Sequence, residues 1–248
     1  MSFFSQITDV YRKTKKPRDI LWNRFVARPL AAVLLVPLAK SRITPNQITF
    51  MSLATFVAAM VMLTLERGHL GLVAAAVVLE LSYVLDCTDG QLARLKHQSS
   101  PVGAHLDFLM DELKAFLLVA ATGLRLWQAD GHEFWLVEAL LGLAVVASAI
   151  SITTFIRRPE YLSATGAARP HSAGDYGDGF ATASPPARSA SVIGLVEDLG
   201  RFLVHYPSYI LFVAVADQLE VFLHVYIAIN AAYAARSLLG VALKLGRS

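Results

Sequence analysis

Long apolar runs limit the fold of this chain more than any other feature. Stretches of about 20 mostly apolar residues, enough for a helix to cross a bilayer, recur along its 248 residues. Inside a bilayer no water is available to the backbone, so such stretches must bond internally as helices. Of all residues, 55% are hydrophobic and 17% charged, where a soluble domain carries about 25% charged. The excess sits in the runs. This predicts one all-α integral membrane protein rather than a set of soluble domains.

Charge placement sets the expected orientation. Arg12, Lys13, Lys15, Lys16, Arg18, Arg24 and Arg28 crowd the N-terminus, and Lys40 and Arg42 follow. Such a segment suits an anionic lipid surface and the cytoplasmic side. A basic patch also suits nucleic acid, but no nucleic-acid fold accompanies it, so no such partner is expected. The single cysteine, Cys87, excludes an internal disulfide. The polar, basic first 20 residues do not read as a cleavable signal.

Residues 1–42 read as a cytoplasmic basic segment with an interfacial amphipathic helix. Its apolar run, Val26 to Ala39, holds Arg28, Pro29 and Pro37 and is too short to span. Residues 43–248 read as a domain of six transmembrane helices. Thr44-Pro45-Asn46 opens the first, with Thr44 as cap and Pro45 where a missing N–H costs little. The spans fall near 45–65, 70–85 (helical on through Arg94), 102–127, 134–156, 199–216 and 221–243. Residues 159–190, rich in Ala, Ser, Gly and Pro, read as a flexible cytoplasmic loop. Six spans place both termini in the cytoplasm. About 18 Lys and Arg then lie inside, against Arg67 and Arg125 outside, as the positive-inside rule expects.

The chemistry is concentrated in residues 86–111, which follow the pattern D-x2-D-G-x2-A-R-x8-G-x3-D-x3-D. Asp86 and Asp89 are three apart and share a helix face; Asp107 and Asp111 are four apart and do likewise. A short polar turn joins the two helices, so both pairs meet at the cytoplasmic end. Four carboxylates converging beside a membrane need compensation, and all-oxygen ligands favour Mg²⁺ or Mn²⁺. Gly90, Ala93 and Gly103 let a helix or ligand approach closely. Arg94, one turn beyond the first pair, offers a fork for phosphate. Carboxylates, metal and arginine together describe a pyrophosphate site.

This pattern resembles the signature of the CDP-alcohol phosphotransferase family at every position. At roughly 1 in 15 per named residue, chance would produce it about once in 10⁹ starts. The likeness extends to Ile43-Thr44-Pro45-Asn46-Gln47-Ile48-Thr49, similar to the segment that opens the family's first membrane helix. It implies a six-helix membrane fold, a homodimer, and two divalent metals on Asp86, Asp89, Asp107 and Asp111. It also implies that Asp111 is the general base, and that the cytidine diphosphate lies near Asn46, Asp89, Gly90, Ala93, Arg94 and Gly103. Family members with phosphorylated acceptors often carry an arginine near the end of the fourth span, where Arg157 and Arg158 stand here.

The expected function is therefore phospholipid biosynthesis. A phosphatidyl group passes from CDP-diacylglycerol to a polar alcohol, and CMP is released. Candidate acceptors are glycerol 3-phosphate, inositol or its phosphate, serine and another phospholipid. A soluble donor of the CDP-choline, CDP-ethanolamine or CDP-inositol type stays open, with a lipid or inositol-phosphate acceptor. The stretch Lys16-Pro17-Arg18-Asp19 to Arg28-Pro29-Leu30 looks somewhat like the transferase half of inositol-phosphate enzymes. A metal-ion transporter is the reading from another class, but repeated halves are not seen and the aspartates sit at one end of their helices. Outside the core pattern, Cys87 reads as a packed residue and Lys96 as a topology charge. Lys114 reads equally as a counter-charge to the aspartates or as snorkelling. Glu80 reads as joining either the site or a neighbouring helix.

Overall fold

The computed structural model describes residues 3–15, 19–166 and 202–246. Among these there is helix but no strand. Lys16 and Arg18 of the basic segment lie outside the described residues.

The chain opens with helix α1, Phe3–Thr14. This segment is expected only as part of the polar, basic N-terminus. Its helical signal is the sparse spacing of Ile7, Val10, Tyr11 and Thr14, which are among its half-buried or buried positions. After residues 16–18, a π-helical turn, Asn23–Ala27, leads into α2, Arg28–Ala39. The α2 residues Ala31, Ala32 and Leu35 are fully buried, and α2 packs on the fourth helix. Arg28 does not face a lipid surface as its place in the basic segment suggested. It is buried and ion-paired with Asp19, whose side chain is also buried. Asp19 further accepts from Ile20 N and Asn23 Nδ2, both at 3.0 Å. This carboxylate gathers the whole entry segment and draws Arg28 inward.

Helix α3, Pro45–Leu65, begins as the sequence predicts. Thr44 and Gln47 form a reciprocal capping box, and Pro45 stands in the first turn. Helix α4, His69–Leu95, returns beside it. The two cross at Ser52 and Ser82, each hydroxyl donating to the other's carbonyl, at 2.9 and 2.8 Å. Small polar residues bring apolar helices close in this way. Helix α4 ends at Lys96 and His97, the latter in left-handed backbone at φ 53°.

Ser100 caps α5, Pro101–Asp130, a helix of 30 residues, and Gly131 closes it at φ 76°. Helix α6, Phe134–Ile156, follows. Helices α5 and α6 touch at Gly123, where an added Cβ would stand 2.3 Å from Ala139 Cβ. Of the expected loop 159–190, Pro159–Thr165 is a short helix, α7, and 167–190 lie outside the described residues. Beyond it come a 3-10 turn at Tyr206–Ser208, the short helix α8, Ile210–Val215, and α9, Leu219–Leu245. Gly142 lets α6 meet α9, since a Cβ there would fall 2.6 Å from Ile227.

Helices α3, α4, α6 and α9 are long and apolar enough to cross a membrane. Helix α5 is long enough, about 45 Å at 1.5 Å per residue, but carries several charged side chains. The expected fifth span, 199–216, is not one continuous helix where it is described. Pro207 lacks the N–H a helix interior needs, and α8 has only six residues. Even so, the segment runs from one end of the bundle to the other. Tyr206 lies beside Lys114 near the aspartates, while Asp217 lies beside His69 and Arg125 at the far end.

The apolar core joins Phe56 of α3, Leu79 of α4, Leu118 and Val119 of α5, and Leu223 of α9. Helix α3 packs against both α4 and α5, whereas α4 and α5 approach each other only sparsely. The space between them is bridged at one end by acidic side chains.

Candidate active site

Four aspartates of the pattern project from α4 and α5 toward that space. The carboxylates of Asp86, Asp89 and Asp107 each present an oxygen within 4.8 Å of the others. At that distance two unit charges repel by about 3.5 kcal/mol for an effective dielectric near 20. The expected convergence of the two helices is thus present for three of the four residues. Asp111 stands outside this trio, with its side chain 44% exposed at the rim.

Neighbours hold the trio in place. Thr49 Oγ1 donates to Asp89 Oδ2 at 2.6 Å, and Ser52 Oγ, whose proton goes to Ser82 O, lies 3.4 Å from Asp86 Oδ1. The Lys114 ammonium, 3% exposed, donates to Asp86 and, at 3.4 Å, to Asp111 Oδ1. One ammonium does not balance three clustered carboxylates. Asp107 Oδ1 is buried without a hydrogen-bond partner. A buried carboxylate oxygen without a donor, facing two more carboxylates, is the pattern a hard cation satisfies. The donor set therefore fits a divalent ion, and its all-oxygen character fits Mg²⁺ or Mn²⁺.

The residues expected around a nucleotide are brought together in part. Gly103 lies beside Asn46: an added Cβ would stand 3.5 Å from Asn46 Oδ1 and 3.1 Å from Ser100 Oγ. Gly90 lies beside Arg94, a Cβ there reaching its Nη1 at 3.5 Å. Ala93 is half-buried on the same last turn of α4. Arg94 also has a partner the sequence did not suggest, donating from Nε to Thr14 O at the end of α1 at 3.0 Å. That bond orients the guanidinium and ties the entry helix to the site.

Of the two arginines after α6, Arg157 reaches the site's surroundings. Its guanidinium lies 4.9 Å over the ring of Phe108, next to Asp107, and its charge faces Glu112. Arg158 is exposed at the start of α7. Glu80 lies near Trp22 of the entry segment and is not one of the clustered carboxylates. Cys87 is buried against Ala27, Ala31 and Val84, as a packing residue. Lys96 Nζ donates to Ser41 O and Ile43 O, both at 2.9 Å, fastening the link from α2 to α3.

Sequence reasoning passed over Thr49, Ser52 and Tyr206. The first two carried a signal: they are three apart, so one face of an otherwise apolar span is polar. Tyr206, half-buried near Lys114 and Asp111, comes from a distant segment with no motif.

A search of curated proteins finds no match. A comparison with protein families matches residues 42–173, just over half the chain, to CDP-alcohol phosphatidyltransferase. The matched stretch contains all four aspartates, Arg94 and both glycines of the pattern. The chain belongs to the CDP-alcohol phosphatidyltransferase family.

Proposed function

We propose that this protein transfers a phosphatidyl group from CDP-diacylglycerol to a polar alcohol, releasing CMP, and depends on Mg²⁺ or Mn²⁺. One observation carries the reading. Three carboxylates meet within 4.8 Å, one with a donorless buried oxygen, beside a fourth that is open to the rim. A divalent ion on Asp86, Asp89 and Asp107 would neutralise charge on the donor's diphosphate.

The chain's own residues do the rest. Asp111 accepts the proton of the acceptor hydroxyl, its exposed carboxylate being reachable from the cytoplasmic rim. The freed oxygen bonds to the β-phosphorus while the bond from that phosphorus to the bridging oxygen breaks. The electron pair leaves on CMP, whose phosphate meets Arg94. Asn46, Gly90, Ala93 and Gly103 line the approach for the cytidine end. Arg157 suits an anionic group on the acceptor, which favours a phosphorylated alcohol such as glycerol 3-phosphate or an inositol phosphate.

In this reading the chain crosses the bilayer six times, with α5 and the broken 202–216 segment adding to the four long apolar helices. The aspartates and both termini face the cytoplasm.

The test is CMP release by the purified protein in mixed micelles with Mg²⁺ and CDP-diacylglycerol. The acceptor panel is glycerol 3-phosphate, inositol, inositol 1-phosphate and serine. Acceptor-dependent release names the substrate. Silence across the panel, with release from CDP-choline, CDP-ethanolamine or CDP-inositol instead, would overturn the lipid donor.

A further inference from the structure

We propose that the donor-free site holds a single divalent cation on Asp86, Asp89 and Asp107, and that the Lys114 ammonium takes the place of a second cation between Asp86 and Asp111. The inference rests on the metal-dependent reading above and concerns its cation count.

The geometry separates the four carboxylates into two unequal groups. Asp86, Asp89 and Asp107 share one small volume, and Asp111 is not among them. What links Asp111 to the others is Lys114, which bonds to Asp111 along its own helix and to Asp86 across to α4. The ammonium thus occupies the position between the two aspartates that a bridging cation would need. A second divalent ion there would meet a like charge at contact distance.

Lys114 is not poised to leave. It is 3% exposed, and both hydrogen bonds of its Nζ go to carboxylates. Leu118, one turn further on, is fully buried, and Tyr206 lies near the lysine. Drawing the ammonium away from Asp86 and Asp111 would strand a charge in an apolar interior, which is costly. The arrangement also has a use. Held by an ammonium instead of a metal, Asp111 keeps a carboxylate oriented toward the rim for proton transfer, while the trio holds the ion.

The prediction is a count. Purified protein in micelles, without nucleotide, is titrated with Mn²⁺; bound metal is measured directly and by electron paramagnetic resonance. Wild type should bind about one Mn²⁺ per chain, with the spectrum of an isolated ion. Lys114→Met, which keeps length but removes charge, should bind about two, with the broadened spectrum of a coupled pair. Asp111→Asn should leave the count at one. Two ions in wild type would overturn the proposal, as would a single ion in a folded Lys114→Met. If that variant does not fold, Asp111→Asn decides alone, since the loss of an ion there would make Asp111 a ligand. The count requires no turnover, so it can fail while CMP release succeeds. A wild type that binds no Mn²⁺ would instead remove the metal-dependent reading itself.

Discussion

Helix α5 buries two cations, and they serve opposite ends of the molecule. Lys114 is 3% exposed and Arg125 is 9% exposed. Lys114 binds carboxylates that belong to the candidate site. Arg125 binds backbone carbonyls: Leu63 O at 2.9 Å, Gly68 O at 3.1 Å, Arg67 O at 3.3 Å, and Glu66 O. It closes the C-terminus of α3 and the turn into α4, where helix carbonyls would otherwise lack donors. Burial alone therefore does not mark function. The partner does, because carbonyls in a turn are fixed acceptors, whereas clustered carboxylates can exchange partners with a cation or a proton.

The largest effect should come from the site end. Asp111→Asn keeps shape and one acceptor oxygen for Lys114 but cannot take a proton. CMP release should fall by about 10³-fold, in the range for loss of a general base, while the thermal midpoint in micelles stays at the wild-type value. Unchanged turnover in this variant would remove Asp111 from the mechanism and erase the contrast between the two ends.

Arg125→Met should behave in the opposite way. The buried Leu63 carbonyl and three partly buried carbonyls of the following turn lose a donor, which predicts a loss of about 2 kcal/mol in stability. The thermal midpoint should drop clearly, and the folded fraction should turn over at the wild-type rate. A specific loss of turnover without a drop in the midpoint would show that the far end communicates with the aspartates.

The two ends were unequally legible in the sequence. The aspartates stood out because charged residues at helical spacing within apolar runs are costly and so conspicuous. The start of α3 was legible because Thr44, Pro45 and Gln47 each satisfy a local rule. Arg125 read as an outside charge, because its partners are carbonyls, which every residue carries and no sequence pattern displays. Arg28 read as a surface charge for a similar reason: its partner Asp19 lies nine residues away across a π-turn. The broken fifth segment was not readable as broken, although Pro207 was in view. Its path is set by what packs at each end, Tyr206 beside Lys114 and Asp217 beside His69, and those are contacts between distant segments.

Between the extremes lies the support of the trio. Thr49→Val removes the 2.6 Å hydrogen bond to Asp89 and keeps the shape of the side chain. Residues that orient a metal ligand typically matter by 10–100-fold in affinity. Metal affinity, read from the Mg²⁺ concentration giving half-maximal CMP release, should weaken by about tenfold. Stability should change little, because Asp89 then relies on the cation. A larger fall in stability than in metal affinity would place Thr49 with Arg125, as a structural residue, and move the border between the two regions into the site.

The smallest effect should come from Lys96, which resembles Arg125 in chemistry but sits at the site end. Its Nζ donates to two carbonyls, Ser41 O and Ile43 O, at 2.9 Å each. Arg94, two residues earlier on the same helix, is the one assigned to the donor's phosphate. Lys96→Met should cost about 1 kcal/mol, since Lys96 is half-buried and water can replace its ammonium at these carbonyls. The KM for the CDP donor should stay at the wild-type value, whereas Arg94→Met should raise it. If both variants raised KM alike, the basic end of α4 would act as one diffuse field around the diphosphate. If only Arg94→Met does, partner chemistry sorts neighbours on a single helical turn as it sorts Lys114 from Arg125 along the whole of α5.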